Sequence, residues 1–267
     1  MTQEQNYSLF DTHCHLDFEV FDACRAHEIQ EAHSVGVEYL FVPSIGQSNW
    51  DKVAQLAQTY PNLYYGLGLH PYFIDKHGPD ALAELNQALF KADENCVALG
   101  ECGLDFQLAE PLMTPELIAK QHRLFEGQVD LAKQHQLAMV LHSRKSHDKI
   151  AKQLRKKQIN RGVIHAFSGS YQQAKAYLDL GFYIGVGGII TYPRAKKTRD
   201  VIAKLPLDCM VLETDAPDMP LAGFQGQANR VCRIKLILDE ICTLRGQKPQ
   251  FVSQQILENS KRLFLLS

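Results

Sequence analysis

His13 and His15 stand one residue apart in the stretch Phe10-Asp11-Thr12-His13-Cys14-His15-Leu16-Asp17. An extended chain alternates its faces, so both imidazoles project to one side. Two such rings beside acids make half of a divalent-metal site, although a partly buried surface pair accounts for the spacing equally well. Other reactive side chains stand where apolar runs end. His70 follows the run at 64–69, and Glu101 follows 97–100, with Asp105 a little further on. His142 and Arg144 close the run at 139–141, His165 follows Val163-Ile164, and Asp215 follows 211–214. Histidines and carboxylates in this number exceed the needs of one tetrahedral ion. They suit a two-metal centre, in which a carboxylate bridges ions about 3.5–4 Å apart. The other histidines (27, 33, 77, 122, 135 and 147) fall in helical or loop segments and read as surface or packing residues.

These side chains meet only if the elements bearing them converge. Strands are predicted at 9–15, 39–43, 64–69, 97–101, 138–142, 163–165, 182–186 and 210–215. Helical patterns lie between them, near 22–35, 48–59, 79–93, 115–135, 146–159, 171–180 and 195–204, and two more follow near 228–244 and 248–265. Strict alternation predicts an α/β protein with a parallel sheet, and eight units can close into a (β/α)8 TIM barrel. The 267 residues are close to the length of about 250 typical of that fold. An open doubly wound sheet is the competing arrangement, but no Gly-x-Gly-x-x-Gly follows the first strand. In a barrel the C-terminal strand ends share one rim, where such enzymes build their sites. No linker divides the chain, so residues 1–267 read as one domain.

Composition narrows the class. A formal net charge of −2 gives no global field for a nucleic acid or membrane. No apolar run approaches the roughly 20 residues of a membrane span, and the polar start Met1-Thr2-Gln3-Glu4 lacks a signal-peptide core. Seven cysteines without a Cys-x-x-Cys pair read as reduced thiols in a cytoplasmic protein, with Cys14 and Cys102 directed into packing layers.

Taken in order, Phe-Asp-Thr-His13-Cys-His15-Leu-Asp, Gly-Leu-His70-Pro, Gly-Glu101-Cys-Gly-Leu-Asp105, Leu-His142-Ser-Arg144, His165-Ala-Phe-Ser168-Gly and Glu213-Thr-Asp215-Ala-Pro-Asp218 resemble the TatD family of metal-dependent hydrolases in the amidohydrolase superfamily, most closely its YjjV-like branch. The resemblance runs from about residue 9 to the C-terminus. It implies that His13, His15, Glu101 and Asp215 hold one metal, and that Glu101 bridges to a second held by His142 and His165. It also implies phosphodiester hydrolysis of deoxyribonuclease type, with 3′-5′ exonuclease character. Two segments depart from the DNase members: Ala216-Pro217-Asp218 stands where they commonly carry Ser-Pro-Tyr, and Asn229-Arg230-Val231 where they carry Asn-Glu-Pro or Asn-Arg-Pro. Both lie outside the metal ligands and bear on substrate identity.

The chemistry expected is attack by a metal-bridged hydroxide. Two cations sharing a water lower its pKa toward neutrality, and Asp215 is placed to accept the proton. His70, Arg144 and Arg230 are candidates for phosphate contact, and Asp105 for orienting a ligand histidine. Mixed ligands suit zinc, manganese or iron, while magnesium prefers oxygen. Basic residues cluster at 144–161 and again at Arg194, Lys196, Lys197 and Arg199. They fit either a solvated surface or phosphate binding, with Phe73, Phe106, Phe167 and Tyr192 candidates to flank the mouth. The expected partner is DNA or a small phosphodiester bound by a monomer, with no membrane or obligate protein partner. The competing functions are hydrolysis of carboxylic esters or amides, and a non-catalytic metal-binding protein.

Overall fold

Parallel strands covered on both faces need apolar side chains on both faces, and the runs in this chain supply them. The computed structural model describes residues 7–266. Its strands are Leu9–Asp11 (β1), Val37–Pro43 (β2), Leu63–Leu67 (β3), Cys96–Asp105 (β4), Ala138–Arg144 (β5), Gly162–Ile164 (β6), Phe182–Val186 (β7) and Met210–Leu212 (β8). They pair in parallel in the order β1 to β8. Helices Arg25–Ser34 (α1), Trp50–Thr59 (α2), Ala81–Lys91 (α3), Pro115–His135 (α4), His147–Lys157 (α5), Tyr171–Leu178 (α6) and Lys196–Lys204 (α7) alternate with the strands. Ile234–Arg245 (α8) and Pro249–Phe264 (α9) follow them. This is the expected (β/α)8 TIM barrel. No helix among the described residues is long and apolar enough to cross a membrane.

The seam departs from the strand bounds read in the sequence. β1 stops at Asp11 and β8 at Leu212, so His13, His15 and Asp215 lie beyond their strands. The segments that follow hold the seam through scattered bonds. The Thr12 amide donates to the Leu212 carbonyl (2.9 Å), the Asp215 amide to His13 (2.8 Å) and the His15 amide to Ala216 (2.7 Å). Asp11, fully buried, accepts from the Thr214 amide (3.0 Å) and hydroxyl (2.5 Å). Side-chain acceptors there replace ladder carbonyls.

Two apolar layers frame the site. One lies between the sheet and the helices and contains Cys14 and Cys102. The other fills the barrel floor with Phe10, Phe41, Ala98, Val140, Val163 and Val211, and Phe264 of α9 plugs it by stacking on Phe41 (4.6 Å between centroids). Above Val140, Val163 and Val211, two residues further along each chain, stand His142, His165 and Glu213. Period-two alternation thus stacks a polar layer directly on the apolar one.

Candidate metal centre

Glu101, buried on β4, divides its two oxygens between two sets of groups. Oε2 faces His13 Nε2 at 3.2 Å and His15 Nε2 at 3.8 Å. Asp215 Oδ1 closes this set, 3.6 Å from His13 and 3.9 Å from His15. Oε1 faces His70 Nε2 at 2.9 Å and His142 Nδ1 at 3.1 Å. Ligands at 2.0–2.2 Å from one cation stand about 3–3.5 Å from each other, so the separations of His13 (3.2 Å) and His142 (3.1 Å) from Glu101 match those of a coordination shell. Burial opposes the Glu101 charge, but His70, His13 and His165 hold its carboxyl well below the usual range.

Local hydrogen bonds assign the ring nitrogens. The Tyr72 amide donates to His70 Nδ1 (3.0 Å), which leaves the His70 proton on Nε2, directed at Glu101. The His142 Nε2–H donates to Asp105 Oδ2 (3.0 Å), which leaves Nδ1 toward Glu101. His165 presents Nδ1 to Glu213 Oε1 (3.1 Å) and Nε2 to Asp215 Oδ1 (3.6 Å), and its ring stacks on His13 with centroids 3.5 Å apart. Burial pulls the His165 imidazole down, but Glu213, Asp215 and Glu101 override it and carry the group to about 10. Burial lifts Asp215 to about 6.

The donor set fits cations. His13 is fully buried, yet neither ring nitrogen has a hydrogen-bond partner among the described residues, and the same holds for His15 Nδ1 and Glu213 Oε2. Buried polar atoms without partners are costly unless something else satisfies them. Three groups bring potential ligand atoms within 4.8 Å of one another: His13–His15–Asp215, His70–Glu101–His142 and His13–His165–Glu213. The second brings His70 to His142. The third sets His165 beside His13 and Glu213.

Supporting groups hold this arrangement. Two buried glutamines of α4 clasp the strand ends. Gln128 accepts from the Leu69 amide (2.7 Å) and donates to its carbonyl (3.2 Å), which fixes the backbone before His70. Gln121 does the same at Asp105 (2.9 and 3.1 Å). Glu213 is 1 % exposed and also accepts from the Ala166 amide (2.5 Å). Its position had a signal in the sequence, because Glu213 and Asp215 share a face by alternation; the glutamines had none.

A cleft of about 640 Å³ opens over the centre, lined among others by Phe18, Tyr72, Phe73, Arg144 and Asp218. Arg144 is half-exposed there, with its guanidinium 3.4 Å from Asp105. The structure does not bring Arg230 to the cleft lining: its guanidinium is held by Glu28 (2.5 Å) and Glu31 (3.1 Å) of α1. Of the four aromatics expected at the mouth, only Phe73 lines it. Phe167 is buried, Phe106 lies under Lys149, and Tyr192 lies under Arg194.

A family model described as TatD related DNase matches residues 10–265. The chain belongs to the TatD family. It is 46 % identical over 255 residues to the uncharacterized metal-dependent hydrolase YjjV of Escherichia coli K12, covering 95 % of this chain and 96 % of that one. A Haemophilus influenzae relative described in the same words is 45 % identical, with 96 % and 98 % covered. The crystal structure of Escherichia coli YjjV superposes with a TM-score of 0.92, covering 97 % and 98 % of the two chains. At 28 % identity, over 96 % of this chain and 98 % of its own, stands a Salmonella typhimurium protein named 3′-5′ ssDNA/RNA exonuclease TatD. The family is one of metal-dependent hydrolases, and that is the class of this protein.

Proposed function

We propose that this hydrolase cleaves phosphodiester bonds at the end of a nucleic-acid strand. The observation that carries the reading is the sharing of Glu101 between two donor sets, with donors for a phosphate beside them. His13, His15, Glu101 and Asp215 would hold one divalent cation, and Glu101, His142 and His165 a second, with zinc, manganese or magnesium as the ions. When bound, such ions lower the pKa of water and neutralise charge on phosphate oxygens.

The chain's own residues account for the rest. His70, its proton held on Nε2 by the Tyr72 amide and facing Glu101 Oε1 at 2.9 Å, would turn that donor to a non-bridging oxygen once the carboxylate oxygen is taken up by a cation. Arg144 offers a fork that matches two oxygens. Asp215 shows Oδ1 to the histidines and keeps Oδ2 clear of protein donors among the described residues. It accepts the proton of the attacking water and returns it to the leaving oxygen. The name borne by the Salmonella relative supports an exonuclease.

Hydrolysis of a carboxylic ester or amide is the second reading. Asp218 favours it, because a carboxylate at the cleft wall repels phosphates. A panel of phosphodiesters, phosphomonoesters, acyl esters and amides, each assayed with several metals, separates the two. Cleavage of oligonucleotides from one end is expected, and hydrolysis confined to acyl compounds would overturn the proposal. Asp215→Asn should abolish turnover while metal content, measured by mass spectrometry, persists.

A further inference from the structure

Outside the catalytic cleft, the strongest unassigned feature is a groove between α4 and α5. It is lined by His122 and Glu126 from one helix and by Lys149, Lys152, Gln153 and Lys156 from the other, with Leu104 at its base. Lys149 lies in the first turn of α5, just after β5 ends at Arg144, and over the ring of Phe106, which follows Asp105, so this end of the groove lies on the rim side of the barrel. Lys149, Lys152 and Lys156 recur at intervals of three and four, which places them on one face of α5. Over these positions the helix rises about 10 Å, from the rim down the outer wall of the barrel.

An ordinary solvated helix carries its lysines in pairs with acids, and much of this surface does so. Lys52 pairs with Asp22, Lys175 with Asp179, and Lys157 with Asp130. In the groove the one acid, Glu126, lies near Lys156 (3.7 Å) and Lys157 (3.4 Å). Lys152 has no ion-pair partner among the described residues. Lys149, also without an ion-pair partner among the described residues, lies over the Phe106 ring, 4.3 Å from its centroid, which helps to hold its ammonium in place. A chain whose net charge is −2 therefore concentrates positive charge beside its centre.

We propose that this groove binds the body of a single-stranded nucleic acid whose terminal phosphodiester lies at the centre. The proposal rests on the phosphodiesterase reading. The lysines contact successive phosphates and carry no sequence information, so the groove sets substrate length rather than base preference.

The test compares wild type, Lys149→Gln/Lys152→Gln and Lys149→Glu/Lys152→Glu on a fluorescent thymidine dodecamer and on a dinucleotide. Binding is read by anisotropy and turnover separately. For the dodecamer, affinity and kcat/KM should fall about tenfold in the glutamine variant and further in the glutamate variant, and the salt slope should decrease by about 1.4, two contacts' worth for a single strand. Dinucleotide turnover should stay at the wild-type value. Unchanged dodecamer binding in both variants would overturn the proposal, as would poly-glutamate competing as well as the dodecamer. A wild type that binds the dodecamer through these lysines but cleaves no phosphodiester leaves the groove assignment standing and defeats the nuclease reading instead.

Discussion

Replacing Glu213 with Gln removes one buried charge and almost no volume, which isolates what that charge does for His165. In the structure Glu213 Oε1 serves both the Ala166 amide (2.5 Å) and His165 Nδ1 (3.1 Å). The glutamine carbonyl must stay at this point, because an amide NH2 would face the Ala166 N–H. The geometry therefore survives, and only the charge assistance of the His165 bond is lost. A charge-assisted bond exceeds a neutral one by about 1–1.5 kcal/mol. Loss of a carboxylate that orients a ligand histidine typically weakens metal binding about 10- to 100-fold, or about 1.4–2.8 kcal/mol. The two ranges meet at a weakening of roughly tenfold. The assay is competition for zinc against a chelator of known affinity over a series of pH values, which separates the easier loss of the His165 proton in the variant from the lost orientation, with the melting of the metal-free protein recorded in parallel. Gly185 provides a second route to the same perturbation, since a Cβ there would lie 2.5 Å from Glu213 Oε2. Gly185→Ala should therefore weaken zinc binding as well. Zinc affinity of the Glu213→Gln protein within twofold of wild type would refute the orienting role.

Arg230→Ala should leave kcat/KM on any accepted substrate unchanged and lower stability. Glu28 is 3 % exposed and loses the guanidinium that neutralises it, at a cost of about 1–2 kcal/mol given that Arg230 is itself partly exposed, measurable by urea unfolding. Asp11→Asn addresses pH. Burial raises the Asp11 carboxyl to about 8, so the folded state holds a proton that the unfolded chain releases near 3.8. Stability from this group is full below the lower value and is lost as pH rises toward the upper one, at up to about 1.4 kcal/mol per pH unit. The stability of Asp11→Asn relative to wild type should therefore rise between pH 5 and 8. A difference that is flat with pH, followed by thermal melts of the metal-free proteins, would refute the assignment.

The order of elements and the position of the centre were legible because both follow from local pattern. A barrel strand is apolar along most of its buried length, so a titratable residue where an apolar run stops, as at His142 and His165, marks the candidate site; Glu101 follows such a run as well, although β4 continues beyond it to Asp105. The seam was less legible. Nothing in 9–15 or 210–215 distinguishes a ladder from two segments joined through Asp11 and Thr214, since that junction links residues 203 positions apart. Glu213 was within reach of the same reasoning. Val211 faces the barrel floor, so alternation places Glu213, two residues before Asp215, on the face toward the centre. The surroundings of Arg230 are hidden for a different reason. A guanidinium after the last strand fits a phosphate contact as well as an ion pair, and its partner Glu28 lies 202 positions away on α1. Gln121 and Gln128 are the limiting case. On α4 they look like any polar residues of a surface helix, and only the packing of that helix against β4 and the end of β3 turns two amides into clasps on the backbones that carry Asp105 and His70. What stays hidden in a sequence is thus the support of a candidate site rather than its candidate ligands, because support is defined by which elements touch and the candidate ligands by where each apolar run stops.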